Sequence, residues 1–284
     1  MKWSSFSLAL LLLLGCSGRS PVERVEWPAM GTVAAVQIKH ADSRLVASGL
    51  AVARGVCEDA NRLLNAHDPS SRIRQLAVLT DADAVLLATN VFASGGDAIK
   101  SCVAAAFALK AASGGAFDPR WKGPDTLDLG AIAKGFAVDV IASEASFGDS
   151  GQEVLVDIGG NLKCQRGHWR TGVKDPHGAG LAATVTLRSG EALATSAEYF
   201  RGKHIYDGRT GRPVSNDVAS VTVLCESAMM ADGLSTTLFV LGHEEGKTFL
   251  EKNRPGLLKT AGERVSALWI LKNGTKVVWG DARF

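Results

Sequence analysis

The sequence predicts an α+β fold, with mostly antiparallel sheets and packed helices. Two observations carry that reading. Residues 265–271 and 275–279 alternate on either side of Lys272, Asn273 and Gly274, and Asn-Gly between alternating runs signals a hairpin. Runs of helical period also interleave with strand-like ones across Gly-rich turns, which favours antiparallel pairing over a wound parallel sheet.

The elements follow in order. Residues 32–38 alternate weakly and read as a strand after a turn at Met30 and Gly31. Apolar residues at Leu45, Leu50, Ala53, Val56, Ala60, Leu63 and Leu64 have the period of a helix over 43–66, which Asp68, Pro69 and Ser70 break. After Ser94, Gly95 and Gly96, Asp97 is placed to cap a helix through Ile99, Cys102, Val103, Ala106, Phe107 and Leu109, ended by Gly114 and Gly115. Ile132, Phe136 and Val140, four apart, predict a helix over 131–146 that starts from Gly130. Residues 153–158 form a short apolar strand running into Gly159 and Gly160, and residues 183–187 alternate as another. A strand-like run, 218–224, precedes an apolar stretch that ends at Leu241 and Gly242, with Ser227 as its N-cap.

The chain has 284 residues, with Lys+Arg 31 against Asp+Glu 29. Near balance, and without a basic block or stripe, it gives nucleic-acid binding no support. At 46% hydrophobic and 6% aromatic residues, its core is expected to be built from Ala, Val and Leu. Residues 1–16 read as a lipoprotein signal peptide: a basic start at Lys2, an apolar run over 6–14 too short to span a bilayer, then Leu13, Leu14, Gly15 and Cys16. Lipidation of Cys16 would anchor the protein to a membrane surface. Ser17 does not favour inner-membrane retention, and the expected location is the periplasmic side of a bacterial membrane. Residues 17–27 are polar and read as a tether, which leaves 28–284 as the folded domain. Cys57, Cys102, Cys164 and Cys225 lack C-x-x-C spacing, which argues against structural zinc. Buried thiols are favoured over the three possible disulfide connectivities.

Several segments carry chemistry. On a helix, Asp232 and Thr236 share a face, and a carboxylate with a hydroxyl makes a hard oxygen pair of the kind that holds Mg²⁺. Asp232 equally suits the first turns of a helix, where an acid favours the dipole. Gly130 to Gly135 offers free N–H groups for a phosphate with Lys134 as a point charge, or is a helix start packed on a sheet with Lys134 solvated. His204, close to Asp207, is a candidate general base or a surface histidine. Thr195 and Ser196 match neither a G-x-S-x-G elbow nor an S-x-x-K site, so serine hydrolase chemistry is unsupported.

Taken together, these segments resemble the ApbE family of FAD:protein FMN transferases. The match is ordered and runs from residue 30 to 242. It begins at Met30, Gly31 and Thr32 and passes through Asp68 to Ile73 and Gly115 to Pro119. Asp128 to Asp139 is the block most similar to the family pattern. Ile158 to Asn161 follows, then Ala194 to Ser196 with Tyr199, His204 to Asp207 with Thr210 and Gly211, and Ala231 and Asp232 with Thr236. The resemblance implies FAD as substrate and Mg²⁺ as metal. FMN would move from FAD onto a threonine or serine of an exported acceptor protein, releasing AMP. It implies Asp232, Thr236 and the Ala133 carbonyl as metal ligands, with His204 and Asp232 catalytic. Met30, Lys134, Asp139, Gly159, Gly160, Thr195, Ser196 and Thr210 would lie along the FAD. Hydrolysis of FAD to FMN and AMP, and non-catalytic flavin binding by a lipoprotein, are the alternatives. The chain holds no Ser/Thr-Gly-Ala-Thr stretch, so it does not resemble its own target. Three positions depart from the family pattern: Asn161 replaces a common acid, Ala197 a usual Gly, and Gly208 a usual Pro.

Overall fold

The computed structural model describes residues 22–39, 43–88, 96–148, 151–198, 202, 204–280 and 283–284. In chain order the elements are β1 (Val22–Ala29), β2 (Thr32–Lys39), α1 (Ser43–Leu64), α2 (Arg72–Ala77), α3 (Asp81–Leu87), α4 (Gly96–Ala112), α5 (Ala133–Glu144), β3 (Glu153–Ile158), β4 (Asn161–Arg166), β5 (His168–Lys174), β6 (Leu181–Arg188), β7 (Ala192–Ala197), β8 (Tyr206–Asp207), β9 (Arg212–Pro213), β10 (Val218–Cys225), α6 (Ala228–Thr260), β11 (Ser266–Leu271) and β12 (Lys276–Trp279).

Eight strands form one sheet in the order β1-β2-β3-β4-β7-β10-β11-β12. Every pairing among them is antiparallel, as the turn chemistry predicted. Two ribbons, β5–β6 and β8–β9, stand apart. One face of the large sheet is covered by helices. There Val36, Ile38, Val154 and Val156 pack against α1 and α5, while Val221, Val223 and Trp269 pack with residues of α4 and α6. On the other face, Leu155, Leu193, Leu268 and Ile270 meet Trp169, Val173, Val185 and Leu187 of the β5–β6 ribbon. Alternation of side chains along each strand produces these three layers.

Antiparallel register gathers particular turns at one end of the sheet. The β1–β2 turn at Met30 and Gly31 lies beside the β3–β4 turn at Gly159 and Gly160, where the Gly159 amide donates to Val33 O at 3.0 Å. The end of β7 and the start of β10 reach the same end, because Ser220 pairs with Ala197. Met30 holds φ 48°, unusual for a residue with a side chain.

The structure corrects several expectations. The tether expected over 17–27 overlaps β1, because residues 22–27 pair with β2 and Trp27 is buried. Residues 1–21, with the lipidation expected at Cys16, lie outside the described residues, as does Tyr199. Helix α4 begins at Gly96, so Asp97 stands in its first turn and not at its cap. Helix α5 begins at Ala133 and not at residue 131. Gly242 interrupts α6 where the apolar stretch was expected to end: at φ 78° and ψ −179° it leaves helical geometry, and a second helical segment that was not anticipated follows to Thr260 with Pro255 inside. Strands β4, β5 and β7 were not anticipated, because their small and polar residues give weak alternation. No helix among the described residues is long and apolar enough to cross a membrane.

Candidate functional site

Helices α5 and α6 meet at Gly135. A Cβ there would stand 2.1 Å from Ala228 O and 2.8 Å from Asp232 Cβ, so only glycine permits this approach. The close crossing buries Asp232, which is 5% exposed. Its Oδ2 accepts from the Gly135 amide at 3.0 Å and faces the Lys134 ammonium at 3.5 Å. Lys134 also donates to Gly130 O at 2.9 Å. Ala133 opens α5 and is buried, two residues before the amide that holds Asp232.

One turn along α6, Ser235 donates to Asp232 O at 2.9 Å and meets Ser196 Oγ at 2.8 Å. Ser196 is also 3.1 Å from Thr236 Oγ1. The end of β7 is thus tied to the helix by a chain of hydroxyls that stops at the Asp232–Thr236 face. Ser235 was missed in the sequence, where a helical serine carries no signal of its own.

Thr195 faces the opposite side of β7 from Ser196, as alternation along a strand requires, and its hydroxyl meets Thr222 Oγ1 at 2.9 Å. Asp139 joins α5 to α6. Its carboxylate sits at the N-terminus of α6, accepting from Ser227 Oγ (2.8 Å), the Ala228 amide (3.0 Å), the Met229 amide (2.9 Å) and Lys163 Nζ (3.0 Å). Ser227 in turn accepts from the Met230 amide, as its expected N-cap role requires. These bonds make Asp139 a helix cap that fixes how α6 approaches α5.

His204 is exposed, with Nδ1 2.7 Å from Gly202 O. A carbonyl only accepts, so Nδ1 donates to it, and in the neutral ring Nε2 holds the lone pair. Asp207 does not orient it, because Arg209 takes both carboxylate oxygens at 2.9 to 3.2 Å. Burial works to raise the Asp207 carboxyl, but the Arg209 bonds outweigh it and hold the group below the usual range. Thr210 is exposed in the β8–β9 turn, where its hydroxyl accepts from the Arg212 amide at 3.3 Å.

Two departures from the family pattern have local causes. Asn161 Nδ2 donates to Ile158 O at 3.1 Å, a bond that a carboxylate cannot make. The Gly208 amide donates to Ala116 O at 3.1 Å, and a Cβ there would be 2.4 Å from Asp118 Cβ, so proline has neither the donor nor the space. The same docking stacks Tyr206 on Trp121, with ring centroids 4.1 Å apart. The loop that carries Trp121 is held by Arg120, 8% exposed, which donates to Ala77 O, Pro124 O and Leu79 O and pairs with Asp81 at 2.6 Å. Sequence reading passed over Arg120, because one arginine in a turn carries no pattern.

This sheet, with its buried acid at a helix crossing and its glycine turns gathered at one end, has the fold of solved flavin transferases. It matches Flavin Transferase ApbE from Vibrio cholerae with a TM-score of 0.66 at 24% identity, covering 93% of this chain and 99% of that one. It matches the ApbE protein from Thermotoga maritima with a TM-score of 0.70 at 22% identity, over 90% and 96% of the two chains.

The ApbE family model matches residues 120–259, from Arg120 through most of α6. A FAD:protein FMN transferase of Vibrio cholerae is 37% identical over 142 residues, 45% of this chain and 42% of that protein. Another, of Treponema pallidum, is 36% identical over 183 residues, 56% of this chain and 49% of that protein. The chain thus spans less than half the length of these curated relatives.

Proposed function

We propose that this protein is a Mg²⁺-dependent FAD:protein FMN transferase. It cleaves the pyrophosphate of FAD and joins FMN to a threonine or serine of an acceptor protein, with release of AMP. The observation that carries this reading is the buried Asp232 carboxylate beside Lys134 and the Thr236–Ser196 hydroxyls. The named relatives, FAD:protein FMN transferases, support it.

The donor set fits Mg²⁺: one carboxylate, the Thr236 hydroxyl and the Ala133 carbonyl are hard oxygens. Among the described residues, Asp232 binds through Oδ2 alone, which leaves Oδ1 for the ion. Bound there, Mg²⁺ would withdraw charge from the pyrophosphate. Lys134 is placed to pair with a phosphate oxygen. Met30, Gly159 and Gly160 bring backbone close to the flavin nucleotide at the end of the sheet, with Ser196 and Thr210 adding hydroxyls. His204 Nε2 takes the proton of the acceptor hydroxyl as its oxygen attacks the FMN phosphorus. The bond to the AMP phosphate breaks, and AMP leaves with the electron pair. We further place the protein on the periplasmic side of a bacterial membrane, lipid-anchored at Cys16.

The test is incubation with FAD, Mg²⁺ and an exported protein that bears the acceptor residue. Covalent yellow fluorescence on a denaturing gel is the expected result. Free FMN and AMP without labelled protein would mark a hydrolase, and no FAD cleavage would end the proposal.

A further inference from the structure

His204 opens a ribbon that the large sheet does not hold. β8 and β9 pair only with each other. Their ladder reaches one residue further, where the Val214 amide donates to Ile205 O at 2.9 Å. Ile205 and Val214 turn into the helix-side core. The residues on either side of Ile205 face outward: His204 is exposed and Tyr206 half-buried. Burial of Ile205 sets how deep the ribbon sits. What limits its tilt has to act on the outer side, at Tyr206.

There Trp121 stacks on Tyr206, with ring centroids 4.1 Å apart and planes 18° from parallel. The indole stands on a fixed loop. Arg120, beside it, donates to the carbonyls of Ala77, Leu79, Pro124 and Thr126 and pairs with Asp81. The Trp121 amide itself donates to Asp118 O at 3.1 Å. The Arg209–Glu245 ion pair also touches the ribbon, but it is exposed, and such pairs hold position weakly.

From Trp121 a line of contacts runs to the buried acid. The Lys122 ammonium lies over the indole, 4.6 Å from its centroid, and 3.1 Å from Asp128 Oδ2. Asp128 Oδ1 accepts from the Gly130 amide at 2.9 Å. Gly130 O accepts from Lys134, which faces Asp232 at 3.5 Å. One loop therefore touches both the ribbon of His204 and the support of the Lys134–Asp232 pair. With a phenol ring and an ammonium over it, the indole has little open face for a flavin or adenine ring.

We propose that Trp121 is a positioning residue: through Tyr206 it holds the His204 ribbon at a fixed place relative to Lys134 and Asp232. The inference rests on the transfer reading, which gives His204 its role. It adds what sets the distance between the base and the phosphate end of the site. A displacement of about 1 Å in such a group can cost roughly a hundredfold in rate. Loss of the stack therefore shows in turnover before it shows in FAD affinity.

The experiment compares Trp121→Ala and Trp121→Phe, and repeats Trp121→Ala in a His204→Ala background. Trp121→Ala is expected to lower kcat for FMN transfer by about ten- to a hundredfold with the Kd for FAD unchanged. Trp121→Phe keeps a ring to stack and is expected to recover most of the rate. In His204→Ala, Trp121→Ala is expected to cost nothing more, because its effect passes through the histidine. Should Trp121→Ala fail to fold, Tyr206→Leu removes the same stack from the other side and is expected to behave alike. Imidazole ¹⁵N NMR reads the geometry without turnover, with the His204 signal assigned by its loss in His204→Ala. Wild type is expected to show one Nδ1-protonated neutral form, and Trp121→Ala a mixture of tautomers. Equal kcat in wild type and Trp121→Ala, a further loss in the His204→Ala background, or a His204 signal indifferent to Trp121 would overturn the proposal. Weakened FAD binding in Trp121→Ala would overturn it in favour of a direct flavin contact. A wild type that transfers no FMN would defeat the transfer reading, and the NMR comparison would still decide whether Trp121 positions His204.

Discussion

The Gly135 amide donates to Asp232 Oδ2 at 3.0 Å, and a Cβ on Gly135 would lie 2.8 Å from Asp232 Cβ. The acid is therefore placed by a glycine on another helix. Gly135→Ala is expected to push α5 and α6 apart, at a cost of about 1–3 kcal/mol for overpacking. Urea denaturation measures the loss, and FAD cleavage should fall with it. An unchanged midpoint with unchanged turnover would mean that the crossing tolerates separation.

Asp139 gathers the first turn of α6. Removal of its carboxylate in Asp139→Ala leaves Ser227 and two amides without their acceptor, and is expected to cost about 1–3 kcal/mol. Affinity for FAD, measured well below the melting temperature, should hold. A variant of normal stability that binds FAD poorly would return Asp139 to the flavin.

Asp157 accepts from the Gly160 amide at 2.9 Å beside the glycine turn. Burial raises its carboxyl above the usual range, partly offset by that amide and by Arg24. A raised folded-state value means that stability is fully present below the unfolded pKa, about 3.9, and is lost as pH rises through the folded value. Asp157→Asn keeps the acceptor and removes the titration. It is expected to be more stable than wild type near neutral pH, and equal to it near pH 3. Paired urea titrations at the two pH values check the sign, and a gain that persists at the lower pH would refute it.

His204 is oriented by the Gly202 carbonyl with Nε2 outward. His204→Ala is expected to slow FMN transfer by about a hundred- to ten-thousand-fold and to leave FAD affinity intact. Transfer at the wild-type rate would remove the base role. Loss of FAD binding would make His204 a flavin contact.

Sequence periodicity located β3 to the residue, because a short apolar run between glycines and a turn has few other readings. The Asp232–Thr236 pair and the hairpin at Gly274 were legible for the same reason: spacing alone decides them. What was not legible depends on contacts distant in sequence. Asp139 caps a helix that begins 89 residues later at Ala228. Asp207 pairs with Arg209 because of a turn, although His204 is almost as near in sequence. Thr195 and Ser196 were separable in principle once β7 was known to be a strand, since neighbours on a strand face opposite ways. The stop at Gly242 was legible, but the helical segment that follows it was not, because a polar stretch with an internal proline shows little apolar period.

The most direct measurement is Mg²⁺ binding and FMN release in Asp232→Asn. The substitution keeps an oxygen for the Gly135 amide but removes the charge that a divalent ion requires. Calorimetry with Mg²⁺ and FAD, beside a turnover assay, is expected to show weakened metal binding and a loss of turnover larger than any loss of FAD affinity. Wild-type turnover by Asp232→Asn at ordinary Mg²⁺ would contradict the metal site and the mechanism built on it.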